Sequence, residues 1–200
     1  MKKKELEITL EKLDGFRTPD IKLEQYTTPA TVAAELLNIA YLRKDIYNKV
    51  IYDLGCGPGI LGIGAALLGA RKVVLVDMDE EAIKIAKENA EKFSLGNIVF
   101  NNSDIRKITG RADIVLQNPP FGVHWRRADR AFLEKALEIA DVVYSMHKRE
   151  TRDFIIKFVK GLGASELEIL PVSFILPRSY KFHEKDRKTI LVDIYRIRRN

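Results

Sequence analysis

The sequence predicts an α/β fold: a doubly wound, mostly parallel sheet with helices on its faces. Three observations predict it. From residue 49 onward short apolar runs alternate with amphipathic stretches of helical period. A glycine-rich turn joins the first of these runs to the helix that follows. The last two runs have no helix between them, which sets an antiparallel edge at the C-terminal end.

The elements follow in order. Residues 4–13 carry Leu6, Leu10 and Leu13 at helical spacing, so they form a short amphipathic helix that Gly15 ends. Residues 14–29 read as a loop bounded by Pro19 and Pro29. Thr28 caps a second helix and Pro29 takes its first position, with Val32, Ala33, Leu36, Leu37 and Ala40 on the apolar face. Strands are expected at 50–54, 72–77, 98–100, 112–116, 142–146, 166–175 and 189–196. Helices are expected at 60–68, 79–93, 129–140 and 150–162; Glu80 and Glu81 sit in the first turn of the second, where the helix dipole favours acids. Residues 1–48 thus form an N-terminal extension with short helices and 49–200 the core of a single domain.

Composition excludes several classes. Hydrophobic residues are 46% and charged residues 31% of 200, enough for a core and too apolar for a disordered chain. No stretch is long and apolar enough to span a bilayer, and no apolar segment follows the basic start, so a cytoplasmic protein is expected. One cysteine, Cys56, makes no internal disulfide, and no Cys/His cluster points to a metal. The net charge of +6 suits a polyanionic partner, and equally a solvated surface.

The turn Asp53-Leu54-Gly55-Cys56-Gly57-Pro58-Gly59 lies between a strand and Ile60, the first residue of a helix. Its glycines permit a sharp turn and close approach of a ligand. Asp77 ends the next strand, where an acid accepts hydrogen bonds from a ribose diol. Gly55, Gly57, Asp77 and Asp104 therefore border one crevice at the carboxyl ends of the strands. Asp104 is equally readable as an adenine contact or a turn and helix cap. Gly57 to Gly62 also matches G-x-G-x-x-G, a weak dinucleotide signal. Asp53 at the entrance opposes a pyrophosphate, and Pro58 removes an amide that phosphate would use. A cationic adenosyl cofactor fits better, and the D-x-G-x-G-x-G form resembles the S-adenosyl-L-methionine loop of class I, Rossmann-like methyltransferases.

Asn118-Pro119-Pro120-Phe121 directly follows the fourth strand. The prolines stiffen the backbone and leave rigid carbonyls, Asn118 adds a side-chain acceptor, and Phe121 a flat face. Such a site takes a planar substrate bearing an amine. The Asn118 Oδ1 and Pro119 carbonyl accept the amine hydrogens and Phe121 stacks on the ring, so that positioning performs the catalysis. The tetrapeptide resembles the catalytic motif of amino methyltransferases, which act on adenine N6, guanine N2 or glutamine N5.

Three further segments, Leu23 to Pro29, Tyr144 to Lys148 and Ser179 to His183, resemble, with the two motifs above and in this order, the methyltransferase-like protein five family. The resemblance covers nearly the whole chain. It implies an adenine-N6 methyltransferase of small-subunit ribosomal RNA, working with a small zinc-binding activator protein. It implies that Gln25 and Thr28 reach over the cofactor, with further contacts at Gly55, Pro58, Ile60, Asp77, Asp104, Ile105 and Asn118. Asn118 to Phe121 are then the catalytic residues.

His124-Trp125-Arg126-Arg127 joins an aromatic to cations just past the tetrapeptide, as an RNA-facing loop does, and a second basic stretch runs from Arg178 to Lys188. His147 and His183 read as surface or hydrogen-bonded polar residues. A protein-glutamine or guanine-N2 methyltransferase, a nucleotide-binding module without catalysis and a NAD-linked reductase are the alternatives. The reductase lacks a recognisable hydride site.

Overall fold

The computed structural model describes residues 1–20, 24–120, 128–175 and 189–199. Its elements are α1 (Lys3–Leu10), α2 (Ala30–Leu42), β1 (Val50–Leu54), α3 (Ile60–Leu67), β2 (Lys72–Asp77), α4 (Glu80–Glu91) and β3 (Ile98–Asn102). They continue with β4 (Ala112–Gln117), α5 (Ala128–Ile139), β5 (Ala140–Lys148), α6 (Arg152–Gly161), β6 (Ala164–Ile175) and β7 (Thr189–Arg199). Single 3-10 turns, Ile105–Lys107 and Arg149–Thr151, precede β4 and α6.

The seven strands form one sheet in the order β3-β2-β1-β4-β5-β7-β6. The first five pair in parallel, and β7 pairs antiparallel with both β5 and β6. The central parallel strands β1, β2 and β4 are mostly apolar because both faces are covered. In β2, Val73 and Leu75 enter the core beneath α1 to α4, while Val74 and Val76 enter the core beneath α5 and α6. That alternation is the period of two that doubly wound sheets impose.

Several element boundaries differ from the sequence reading, and three of the differences bear on the packing. Helix α1 stops at Leu10, and Leu13 is only half-buried beyond it. Pro29 sits at the N-cap of α2 rather than inside it, and Thr28 makes no capping bond, because its hydroxyl is used elsewhere. Residue 140 begins β5 instead of ending α5. The antiparallel pair is found as expected, with β7 placed inside and β6 outermost.

The N-terminal elements are integral to the packing. Leu6 and Leu10 of α1 are buried with Leu36 and Leu37 of α2 and Ile63 of α3. Past α2, the buried Asp45 carboxylate accepts from the Tyr144 hydroxyl (2.7 Å) and from Arg196 Nε (2.9 Å), tying this corner to β5 and β7. Helix α3 packs closely on β2 because Gly62 has no side chain. A Cβ there would lie 2.1 Å from Leu75 Cδ2 and 3.1 Å from Val73 Cγ1. The third glycine of the G-x-G-x-x-G match therefore works as a packing residue. Gly62→Ala should lower stability by about 1–3 kcal/mol through overpacking, less about 1 kcal/mol of regained helix propensity. Urea denaturation with an unchanged m-value checks this.

Candidate active site

A crevice opens at the carboxyl ends of β1, β2 and β4. Its floor is the turn after β1. Gly55 and Gly57 have φ of 66° and 52°, a left-handed conformation that only glycine adopts freely. The turn is closed by its own hydrogen bonds. Cys56 N donates to the Val76 carbonyl (3.0 Å), Gly57 N to Asp77 Oδ2 (2.8 Å) and Gly59 N to the Cys56 carbonyl (2.9 Å). Pro58 has no N–H, and its carbonyl accepts from the buried Asn89 side chain of α4 at 3.0 Å. Across 56–59, then, every amide hydrogen is spent inside the protein. A pyrophosphate could use these three amides only by breaking bonds of the fold.

Two acids hold the turn. Asp53 is buried, and its Oδ2 accepts from Gly62 N at 2.8 Å, joining the end of β1 to α3. Burial pushes its carboxyl up to about 7; the Gly62 bond opposes this and nearby Asp77 adds to it. Its negative charge is therefore conditional near neutral pH, so Asp53 opposes a pyrophosphate less firmly than a permanently charged carboxylate would. Asp77 Oδ1 accepts from Asp79 N (3.0 Å) while Oδ2 takes Gly57 N. One amide per oxygen fixes the carboxylate and leaves lone pairs for a diol. Burial raises the Asp77 carboxyl too, against these backbone bonds. Burial also pushes the Cys56 thiol well up, so it stays protonated and unreactive.

Residues 24–28 cross the opening as a strap. Gln25 Nε2 donates to Asp79 Oδ2 at 2.6 Å. At the other end, the Tyr26 hydroxyl donates to Asn118 Oδ1 (3.3 Å) and Asn118 Nδ2 donates to Thr28 Oγ1 (2.9 Å). Ahead of the strap, Asp14 exchanges backbone bonds with Asn89 and Arg17 pairs with Glu81 and Glu88, stapling this stretch to α4.

Of the residues singled out in the sequence, Gln25, Thr28, Asp53, Gly55, Gly57 and Pro58 line the crevice. So do Ile60, Asp77, Asp104, Ile105, Asn118 and Pro120. Gly59 does not; its φ is 91° and a Cβ would meet Leu75 and Ala86, so it serves the packing of α3. Pro119, between Asn118 and Pro120, is buried and is not among the lining residues. Asp104 is a cap in this structure: Oδ1 accepts from Arg106 N, and the Arg106 guanidinium holds the carboxyl below its ordinary range. Phe121, His124, Trp125, Arg126, Arg127 and 178–188 lie outside the described residues. His147 is buried rather than on the surface, hydrogen-bonded to Ser145 Oγ at 2.7 Å, and burial lowers it to about 3. Phe16 and Phe132 were not foreseen. Their rings lie against Gly57 and Gly55, where a Cβ would come within 2.9 and 2.8 Å, and both line the crevice.

The family model for ribosomal protein L11 methyltransferase (PrmA) matches residues 28–119, which include most of the residues that line this crevice. A crystal structure from Pyrococcus horikoshii, provisionally described as an RNA methyltransferase, superposes with a TM-score of 0.91 at 45% identity, covering 100% of this chain and 98% of that one. The zebrafish (Danio rerio) rRNA N(6)-adenosine-methyltransferase METTL5 is 43% identical over 203 residues, 98% of each chain. The chain belongs to the METTL5 family. The Drosophila melanogaster member is 38% identical over 98% of this chain and 96% of its own. The fold is that of the class I methyltransferases. Among the described residues, no helix is long and apolar enough to cross a membrane.

In this METTL5-family chain the buried acid gives a pH signature. Asp53 keeps its proton up to about pH 7 when folded and loses it near 4 when unfolded. Between those values the folded state binds one more proton, so this group makes stability fall as pH rises. His147 acts oppositely, since the unfolded state gains its proton below about 6.5. Comparison with a variant isolates the acid. Asp53→Asn should gain on wild type by about 1.4 kcal/mol per pH unit from pH 4 to 7 and level off above. Urea titrations at several pH values measure it.

Proposed function

We propose that this chain methylates the N6 of an adenosine in ribosomal RNA, using S-adenosyl-L-methionine. The observation that carries the reading is Asn118, held at the rim of a crevice that also presents Asp77 and a glycine turn whose amides at 56, 57 and 59 are bonded within the protein. The family supports the substrate class.

The crevice fits the cofactor by its donors and acceptors. Asp77 suits a ribose diol, Asp53 a cationic amino group, and Met78 with Ile105 an adenine face. Gln25 and Thr28 cover it from the strap, and Gly55, Gly57, Pro58 and Ile60 form its floor. When bound, it supplies an electrophilic methyl group on a sulfonium, which departs as a neutral thioether. The residues of the chain do the rest. Asn118 Oδ1 and the Pro119 carbonyl accept the two amine hydrogens, and Pro120 fixes the direction of the backbone. Phe121 stacks on the base. An exocyclic amine is a weak nucleophile because its lone pair is delocalised into the ring. Two acceptors draw that pair out of conjugation and aim it at the methyl carbon. As the N–C bond forms, the nitrogen sheds one proton to solvent. The adenine must be unpaired or flipped out to enter.

We also propose finer assignments: from the resemblance, small-subunit rRNA as substrate and a small zinc-binding activator as partner; from the sequence pattern, a cytoplasmic setting and one domain with residues 1–48 covering the cofactor. Arg126 and Arg127, close after the tetrapeptide, supply cations for the phosphates beside the target.

Labelled-methyl transfer to purified small- and large-subunit rRNA, followed by nucleoside analysis, tests the reading. N6-methyladenosine in small-subunit rRNA is the expected product; N2-methylguanosine, or label in protein glutamine, contradicts it. Asn118→Ala should cut the rate by about 100-fold or more while leaving cofactor affinity within about twofold. An equal loss in both would assign Asn118 to cofactor binding.

A further inference from the structure

Asn118 is held from the far end of the chain. The Tyr26 hydroxyl donates to its Oδ1 and its Nδ2 donates to Thr28 Oγ1, at 3.3 and 2.9 Å, across 92 and 90 residues of sequence. We propose that Tyr26 and Thr28 are positioning residues for Asn118, fixing the plane of its carboxamide so that Oδ1 meets the target amine. This rests on the adenosine reading above.

The need for such a clamp follows from the side chain. The terminal torsion of asparagine is broad and roughly two-fold. A carboxamide turned over presents Nδ2, a donor, to an amine that is itself a donor. One turned out of plane presents no lone pair along the amine hydrogen. Asn118 has one short side chain to set both angles, and the stiff prolines after it hold only its backbone. Two hydroxyls, one at each end of the amide, define its plane. Each can donate or accept, so the amine's own hydrogens select the Oδ1-inward orientation within that plane.

The two hydroxyls are themselves well placed. Thr28 is buried, and Pro29 after it restricts its backbone to the extended region. Tyr26 follows Gln25, whose side chain is fixed to Asp79 at the start of α4. Asp79 N is in turn bound by Asp77. The strap therefore connects the acid that faces the ribose with the side chain that faces the base. This also gives the Thr28 hydroxyl its use: it serves Asn118 and leaves the capping of α2 undone.

Two measurements on the full chain test the clamp. In steady-state kinetics with rRNA, Tyr26→Phe should lower kcat about 3–10-fold, with cofactor Kd by calorimetry within about twofold of wild type. Thr28→Val should lower kcat by a similar factor, and Thr28→Ser, which keeps the hydroxyl, should restore it. In the NMR spectrum, the Asn118 side-chain amide pair, identified by its loss in Asn118→Ala, should move in Tyr26→Phe and in Thr28→Val and stay near wild type in Thr28→Ser. An amide pair that does not move in Tyr26→Phe overturns the clamp, whatever the rate. A moved pair with wild-type kcat overturns its role in catalysis. A wild-type protein that makes no N6-methyladenosine defeats the adenosine reading instead, and the amide signals still decide whether the clamp exists.

Discussion

The site depends on one constraint: Asp77, the backbone and a proline leave residues 56–59 of the turn after β1 with no free amide. Asp77 takes Gly57 N, the backbone takes Cys56 N and Gly59 N, and Pro58 has none. Asp53 fastens the same turn to α3 through Gly62 N. Residues 56–59 are held before any ligand arrives, because each of their amide donors already has its acceptor. The turn also selects by chemistry. Nucleotide loops that cradle phosphate spend their amides on the ligand, whereas this one presents carboxylates and carbonyls, which suit hydroxyl and ammonium donors.

From that floor the walls are set by contacts distant in sequence. Asn89 on α4 joins Pro58 to Asp14, so the turn and the N-terminal stretch share one buried amide. Arg17 and Gln25 extend the attachment along α4 and its cap. Phe16 and Phe132 press on Gly57 and Gly55. The N-terminal stretch is thus part of the site's construction: it closes the crevice above the floor and carries the two hydroxyls that meet Asn118.

Much of this was legible in the sequence, and the reason is locality. Short, nearly continuous apolar runs mark β1, β2 and β4, because strands covered on both faces are mostly apolar. The glycine turn, Asp77 and the tetrapeptide are each contained in a few consecutive residues. Nearly all the cofactor candidates duly share one crevice. What was missed is non-local. Asn89 reads as one more polar residue of an amphipathic helix, and Phe16 as a loop aromatic, until the fold brings them to Pro58 and Gly57. Thr28 before Pro29 has the form of a helix cap, but the competing partner, Asn118, lies 90 residues away. Asp104 carries a cap or a ligand contact by its chemistry; in the structure it caps the turn at Arg106 and also lines the crevice. Adjacent β6 and β7 announce an antiparallel pair, while nothing in their local pattern says that β7 lies inside.

The selectivity of the turn is the most direct point of attack. Calorimetric titration of the purified chain with S-adenosyl-L-methionine, S-adenosylhomocysteine and NAD compares an amino-acid-bearing adenosyl ligand, its uncharged-sulfur product and a pyrophosphate on the same floor. The expected result is saturable binding of the first two and none of NAD at concentrations about 100-fold higher. NAD binding as tight as the adenosyl ligands would show that the turn can release its amides, and would contradict the closed hydrogen-bonding on which this description of the site stands.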